Sequence, residues 1–266
     1  MSVALLLEMA ASDPDRLGVV SDDQRLTVGE LGALADGGAG VIAESGAGSV
    51  VYVGTGGLML PLLIFASARA GRPFTPLNYR LSGEALAELI GRLPDPLVVF
   101  DADYGNVVAG LGAGAVESQA FVAAAATAEP VAEFPDPDDV AVVLFTSGTT
   151  SRPKAVELSH NNLTSYVTGT VEFASAEPGD AALICVPPYH IAGVGAALSN
   201  LYAGRKMVYL RKFDAKEWLR LAAAEAVTSA TVVPTMLDRI ISELQADPTP
   251  LPALRTLAYG GSKVGL

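Results

Sequence analysis

The chain has 266 residues, enough for one large domain or two modest ones, and half of them are hydrophobic while only 17% are charged. With a mean hydropathy of +0.39, that balance excludes a disordered chain and a small disulfide scaffold. Against 29 Asp and Glu stand 17 Lys and Arg, a net charge of −12, so a nucleic-acid partner has no electrostatic footing.

The first residues, Met1 to Glu8, lack a basic stretch and meet an acid early, which is not the pattern of a signal peptide. No charged residue occurs from Ser45 to Ala68, a run longer than the roughly 20 residues a membrane-spanning helix needs. Its interior reads differently: Ser49 to Val53 as a buried strand, Gly54-Thr55-Gly56-Gly57 as a turn, and Leu58 onward as a helix stopping at Gly71, so no transmembrane segment is expected. Gly83 to Arg92 carries helical spacing, and Leu97 to Phe100 is a short strand entered from Pro94-Asp95-Pro96. Residues 123 to 139, Ala-rich and then Pro- and Asp-rich, read as a linker. Strands follow at Val140 to Phe145, Leu183 to Val186, Lys206 to Leu210 and Ala230 to Val233, with a helix over Ala215 to Ala226. This alternation predicts a layered α/β fold. The single cysteine, Cys185, sits in an apolar run, cannot form an internal disulfide and reads as a small buried hydrophobe, which fits a reducing cytoplasm.

One segment concentrates chemistry. After the apolar strand, Thr146-Ser147-Gly148-Thr149-Thr150-Ser151 places five hydroxyls around one glycine, and Pro153-Lys154 closes the loop. Glycine lets backbone N–H groups approach an oxyanion, hydroxyls add rotatable donors, and Lys154 brings positive charge to an acidic chain. A polar surface hairpin uses the same residue types. The nucleotide P-loop is excluded, since Lys154 follows Pro153 and precedes Ala155 instead of sitting in Gly-Lys-Ser/Thr. Gly110-Leu111-Gly112-Ala113-Gly114-Ala115 loosely matches a dinucleotide pattern, but Gly105 to Ala109 before it is a poor central strand.

The hydroxyl-rich segment resembles the phosphate loop of the adenylate-forming superfamily, Thr-Ser-Gly-Thr-Thr-Gly-x-Pro-Lys-Gly, with Ser151 and Ala155 replacing two glycines. The family's other boxes are similar, in order, to Leu26 to Leu31, Ala70 to Leu81, Val186 to Gly193, Val233 to Leu237 and Tyr259 to Ser262. The resemblance implies two layered α/β sheets, one mainly from residues 46–180 and the other from 1–45 plus 181–266. It also implies activation of a carboxylic acid by ATP and magnesium to an acyl-adenylate, then thioester formation with coenzyme A. Thr146, Ser147, Gly148, Thr149, Thr150 and Lys154 would cradle the phosphates, and Gly260, Gly261 and Ser262 would line the adenine and acyl sites.

His190, in Pro187-Pro188-Tyr189-His190, would stand at the acyl pocket near the carboxylate, with Gly193, Ala230 and Thr231 along the pocket wall; the bland reading of His190 is a histidine packed at a helix end. With Lys154, it is the candidate for a catalytic role, and no residue is assigned to a metal. His160, after Ser159, reads as structural, and Asp214 as a helix N-cap. Relatives that activate amino acids place an aspartate where Tyr189-His190 stands, so a simple acid, fatty or aryl, is expected. The family's later motifs, including a Thr-Glu pair, a ribose-binding aspartate and a catalytic lysine, would lie beyond Leu266. Residues 1–266 are therefore expected to be an N-terminal portion, inactive alone or serving as a nucleotide- or acyl-binding module, and to self-associate through an unpaired sheet edge.

Overall fold

A computed structural model describes residues 1–110, 114–146 and 152–260. In chain order these form α1 (Ala4–Ala10), β1 (Leu17–Ser21), β2 (Gln24–Thr27), α2 (Val28–Glu44), β3 (Ser49–Val53), α3 (Met59–Arg69), β4 (Phe74–Leu77), α4 (Gly83–Ile90), β5 (Pro96–Phe100), α5 (Gly105–Val108), β6 (Gly114–Glu117) and α6 (Ser118–Ala125). They continue as β7 (Val140–Thr146), β8 (Lys154–Ser159), α7 (His160–Thr170), β9 (Ala181–Ile184), α8 (Ile191–Ala203), β10 (Lys206–Tyr209), α9 (Ala215–Ala224), β11 (Ser229–Val232), α10 (Pro234–Ala246) and β12 (Thr256–Tyr259).

The strands build two six-stranded sheets, β6-β5-β3-β4-β7-β8 and β12-β11-β9-β10-β1-β2. Each is parallel except for one antiparallel edge strand, β8 on β7 and β2 on β1. Alternation along the strands divides three apolar cores. Val50 and Tyr52 face a central layer built on α1, α2, α3 and α8, whereas Val51 and Val53 face α4 and α5. In β10, Met207 and Tyr209 join the central layer while Val208, and Leu210 just after the strand, face α9 and α10. The result is a helix–sheet–helix–sheet–helix stack, the α/β architecture expected from the sequence.

The uncharged run is a buried strand, a turn and a helix, and every residue of α3 is buried. Among the described residues no helix is long and apolar enough to cross a membrane. Arg69, at the end of α3, is buried and paired with Glu8 at 2.6 Å and with Asp36, so the charge in the central layer is compensated. The Leu26 to Leu31 box is a helix start: Thr27 Oγ1 accepts from the Glu30 N–H at 3.1 Å and the Thr27 N–H donates to Glu30 at 2.8 Å. Ser159 caps α7, and buried His160 accepts a bond from the Val3 N–H at Nδ1, 3.2 Å. Asp214 caps α9. Cys185 is buried, and its surroundings push the thiol pKa up to about 12.

Two expectations need correction. Residues 123–139 are not a free linker: α6 occupies their start, Val131 and Glu133 donate to the Asp36 and Arg69 carbonyls, and a Cβ on Gly37 or Gly40 would lie 1.8 or 2.1 Å from the Ala125 or Glu129 carbonyl oxygen. The Ala-rich segment therefore presses directly on α2, which also packs on α3. The strand placed at Leu183 to Val186 runs instead over Ala181–Ile184, because pairing with β10 and β11 sets its register and Pro187-Pro188 leaves the sheet. As the sequence suggested, no central strand leads into the dinucleotide-like glycines: the segment before them is the short helix α5, and Leu111 to Ala113 lie outside the described residues.

Candidate functional site

A cleft of 560 Å³ opens where β4, β7 and β9 reach their carboxyl ends, the side on which open α/β sheets receive ligands. Asn78 and Leu81 after β4, Phe145 and Thr146 at the end of β7, and Tyr189 and His190 after β9 all line it. On its far side, β7 and β8 form an antiparallel hairpin in which Phe145 faces Ala155 and Thr146 faces Lys154. Thr146 and Lys154 are thus cross-strand partners at the mouth of the hydroxyl-rich loop, both exposed. Ser147, Gly148, Thr149 and Thr150 lie outside the described residues, as do Gly261 and Ser262.

His190 occupies the N-cap position of α8 without using its side chain as a cap; its N–H donates to the Pro187 carbonyl at 3.2 Å. The residue is exposed, and the desolvation it does have shifts the imidazole below its ordinary value, which favours the neutral ring with one N–H donor and one nitrogen acceptor near pH 7. Its ring centroid lies 4.6 Å from that of Tyr189, which stands edge-on to Tyr79 at 5.7 Å. Gly193 does not line the cleft. It is buried one turn into α8, where a Cβ would come within 2.7 Å of the Pro187 carbonyl oxygen, so it lets the helix seat on the Pro187-Pro188 step that presents His190.

The remaining predicted wall residues lie elsewhere. Ala230 is buried on the α9 side of its sheet, in one core with Trp218 and Ala222. Thr231, next in the strand, points to the other face and is exposed. Neither is among the residues lining the cleft. Gly260 follows β12 and donates to the Val232 carbonyl at 3.2 Å. The sequence reading missed two exposed apolar residues that border the cleft, Val156 on the hairpin and Ile191 at the start of α8, 40% and 53% exposed. An apolar residue within the exposed edge strand β8 was the available signal.

A second cavity, 600 Å³, lies at the ends of β5 and β10 and is lined by charge. Buried Asp101 accepts from the Tyr52 hydroxyl at 3.0 Å, the Thr55 N–H at 2.8 Å, the Ser118 hydroxyl at 2.8 Å and Arg211 at 2.5 Å. Arg211 also reaches Asp22 at 3.1 Å and the Thr55 hydroxyl at 3.0 Å. Burial, and the Asp101 charge beside it, hold the Tyr52 phenol well above its ordinary pKa, so it stays a donor. Among the described residues no cluster of His, Cys, Asp and Glu is arranged to hold a metal ion.

Comparison with known proteins identifies the architecture. The AMP-binding enzyme family matches residues 6–266. A fatty acid–(acyl-carrier-protein) ligase of Streptomyces coeruleorubidus is 29% identical over 214 residues, and a feruloyl-CoA synthase of Amycolatopsis sp. is 32% identical over 203; each match covers 76% of this chain and 41% of the relative. The chain thus spans about two-fifths of the length of these relatives. Among solved structures, the inhibitor-bound N-terminal domain of FACL13 from Mycobacterium tuberculosis superposes with a TM-score of 0.89 at 20% identity, covering 99% of this chain and 71% of that one. ATP-bound MatB from Rhodopseudomonas palustris gives 0.85 at 27% identity, covering 98% and 55%. The chain therefore belongs to the AMP-binding enzymes, the adenylate-forming superfamily that its ordered motifs resemble.

Proposed function

We propose that the complete protein activates a carboxylic acid with ATP and transfers the acyl group to the thiol of coenzyme A. The carboxylate oxygen attacks the α-phosphorus, the bond to pyrophosphate breaks, and the thiol then displaces AMP from the acyl-adenylate. One observation supports this best: Thr146 and Lys154 face each other at a loop mouth on the rim of an apolar cleft that also holds a neutral His190. A hydroxyl and an ammonium there suit phosphate oxygens, and a neutral imidazole can donate to a carboxylate without a competing buried ion pair. Ser147, Gly148, Thr149 and Thr150 complete the phosphate contacts in this reading, and Gly260, Gly261 and Ser262 flank the adenine.

The acid is fatty in our first reading and aryl in the second, which the feruloyl-CoA synthase likeness favours. An amino acid is disfavoured because no carboxylate lines the cleft among the described residues to pair with an ammonium. We place the reaction in the cytoplasm, in keeping with a lone buried thiol. ATP–pyrophosphate exchange by the complete protein over a panel of acids tests the reading, and residues 1–266 alone are expected to be silent, since they match only 41% of the relatives' length. Lys154→Ala is expected to raise the KM for ATP about tenfold or more, the loss of a charge-assisted phosphate contact. An unchanged KM removes Lys154 from the site, and exchange by residues 1–266 overturns the silence.

A further inference from the structure

The β7–β8 hairpin is joined to the rest of its sheet by a short ladder. The described pairing of β7 with β4 is confined to Phe74 and Val142, so from Val143 onward β7 is paired to β8 alone. β8 is the sheet edge, and Lys154, Ala155, Val156 and Glu157 are all exposed. Val143 and Leu144 are buried in the core, so it is the loop end, Phe145 and Thr146 against Ala155 and Lys154, that lacks a second strand and relies on contacts from outside the ladder.

The brace comes from the turn after α4. Arg92 lays its guanidinium over the Phe145 ring, with Cζ 4.9 Å from the centroid, and donates from Nη1 to the Pro153 carbonyl at 2.8 Å. One side chain thereby grips both strands, at the residue before Thr146 and at the peptide group that leads into Lys154. Arginine suits the task because its planar fork can stack on a ring and donate in its own plane at once, which an ammonium cannot do. The backbone turn carrying it is itself fixed, with the Arg92 and Leu93 N–H groups donating to the Leu89 and Ile90 carbonyls at 3.2 and 3.0 Å.

We propose that Arg92 is a positioning residue that sets the spacing of Thr146 and Lys154 at the loop mouth and so the hold on ATP. The ATP half of this rests on the phosphate reading given above; the brace itself does not. Amide hydrogen exchange on the 266-residue chain without nucleotide tests the brace. In Arg92→Ala, the amides of Phe145, Thr146, Ala155 and Val156 are expected to exchange about fivefold faster, with Arg92→Lys intermediate. Amides of β3 report folding and should keep their protection in both variants. In the complete protein, the same substitutions are expected to raise the KM for ATP about threefold to tenfold with little change in kcat for pyrophosphate exchange, and Arg92→Lys to recover part of the loss. Unchanged exchange at the hairpin overturns the brace, whatever ATP does. Faster exchange with an unchanged KM leaves the brace standing and sinks the phosphate reading of Thr146 and Lys154.

Discussion

Two cavities of nearly equal volume, 600 and 560 Å³, open at the carboxyl ends of strands, and their walls are chemical opposites. Most of the charged groups lining the first are paired among themselves: Arg211 with Asp22 and Asp101, Lys212 with Asp103 at 2.7 Å, Arg220 with Glu217 at 2.6 Å, while Asp23 and Glu117 also face it. The second has no Asp, Glu, Lys or Arg among its described lining residues. A ligand entering the first must break existing charge pairs, whereas the second offers apolar wall, a hydroxyl and a neutral imidazole. Strand-end position and volume therefore do not by themselves distinguish a binding site from a seam. The satisfaction of the polar groups does. Asp101 follows β5 of one sheet and Arg211 follows β10 of the other, so their contact joins the two sheets across the first cavity.

The largest expected effect lies in that seam. Asp101→Ala strands the Arg211 guanidinium and removes the acceptor for Tyr52, the Thr55 N–H and Ser118, and it is expected to cost about 3–5 kcal/mol in urea unfolding. Asp101→Asn keeps the volume and part of the bonding, so its loss should be smaller. A loss below about 1 kcal/mol for the alanine variant would mean that the two sheets are held by the central helices alone and that the seam is incidental.

The sequence made some of this legible and hid the rest for physical reasons. The strand–turn–helix from Ser49, the cap at Asp214 and the hairpin around the hydroxyl loop were readable because each depends on residues a few positions apart. Asp101 and Arg211 are 110 positions apart, and Arg92 and Pro153 are 61 apart, so no local spacing announces either contact. The family resemblance, with the small apolar residues around it, puts Ala230 in the acyl wall. Strand alternation sends one of two neighbours to each face, and the register with β9 and β12 turns Ala230 toward Trp218. The segment from residue 123 was read as a linker because its Pro and Asp content is that of a loop, whereas Gly37 and Gly40 of α2, far upstream, provide the groove that seats it.

An intermediate effect is expected at the second cavity. In a helix interior Gly→Ala ordinarily stabilises by about 1 kcal/mol, through lost backbone freedom in the unfolded chain. At Gly193 the sign should reverse, because the added Cβ would stand 2.7 Å from the Pro187 carbonyl oxygen and 3.2 Å from the Pro188 Cα, both backbone atoms. Gly193→Ala is expected to destabilise by about 1–3 kcal/mol and to displace the Tyr189-His190 step. In an NMR titration, the His190 resonance should then move toward the ordinary histidine pKa as the ring loses part of its burial. A neutral substitution with an unmoved His190 titration would show that the apolar cleft tolerates shifts in its wall, unlike the seam.

The smallest expected effect comes from an ion-pair cluster that joins no sheets. Glu225, just past α9, accepts from Arg25 at 2.7 Å and from Lys206 at 2.9 Å, and these two cations pull its carboxyl down to about 2. A depressed carboxylate contributes stability above its unfolded pKa of about 4.3 and loses it as the pH falls toward the folded value. The urea midpoint should therefore fall between about pH 5 and pH 2, and Glu225→Gln should flatten that part of the curve at a neutral-pH cost of about 1–2 kcal/mol. High salt should shrink this difference, because the Arg25 side chain is 50% exposed. Arg25, Lys206 and Glu225 all belong to one sheet and its covering helix, so breaking their contact leaves the joint between the sheets untouched. If Glu225→Gln cost as much as Asp101→Ala, partnered charge would stabilise equally wherever it lies, and bridging the two sheets would confer nothing of its own on the first cavity.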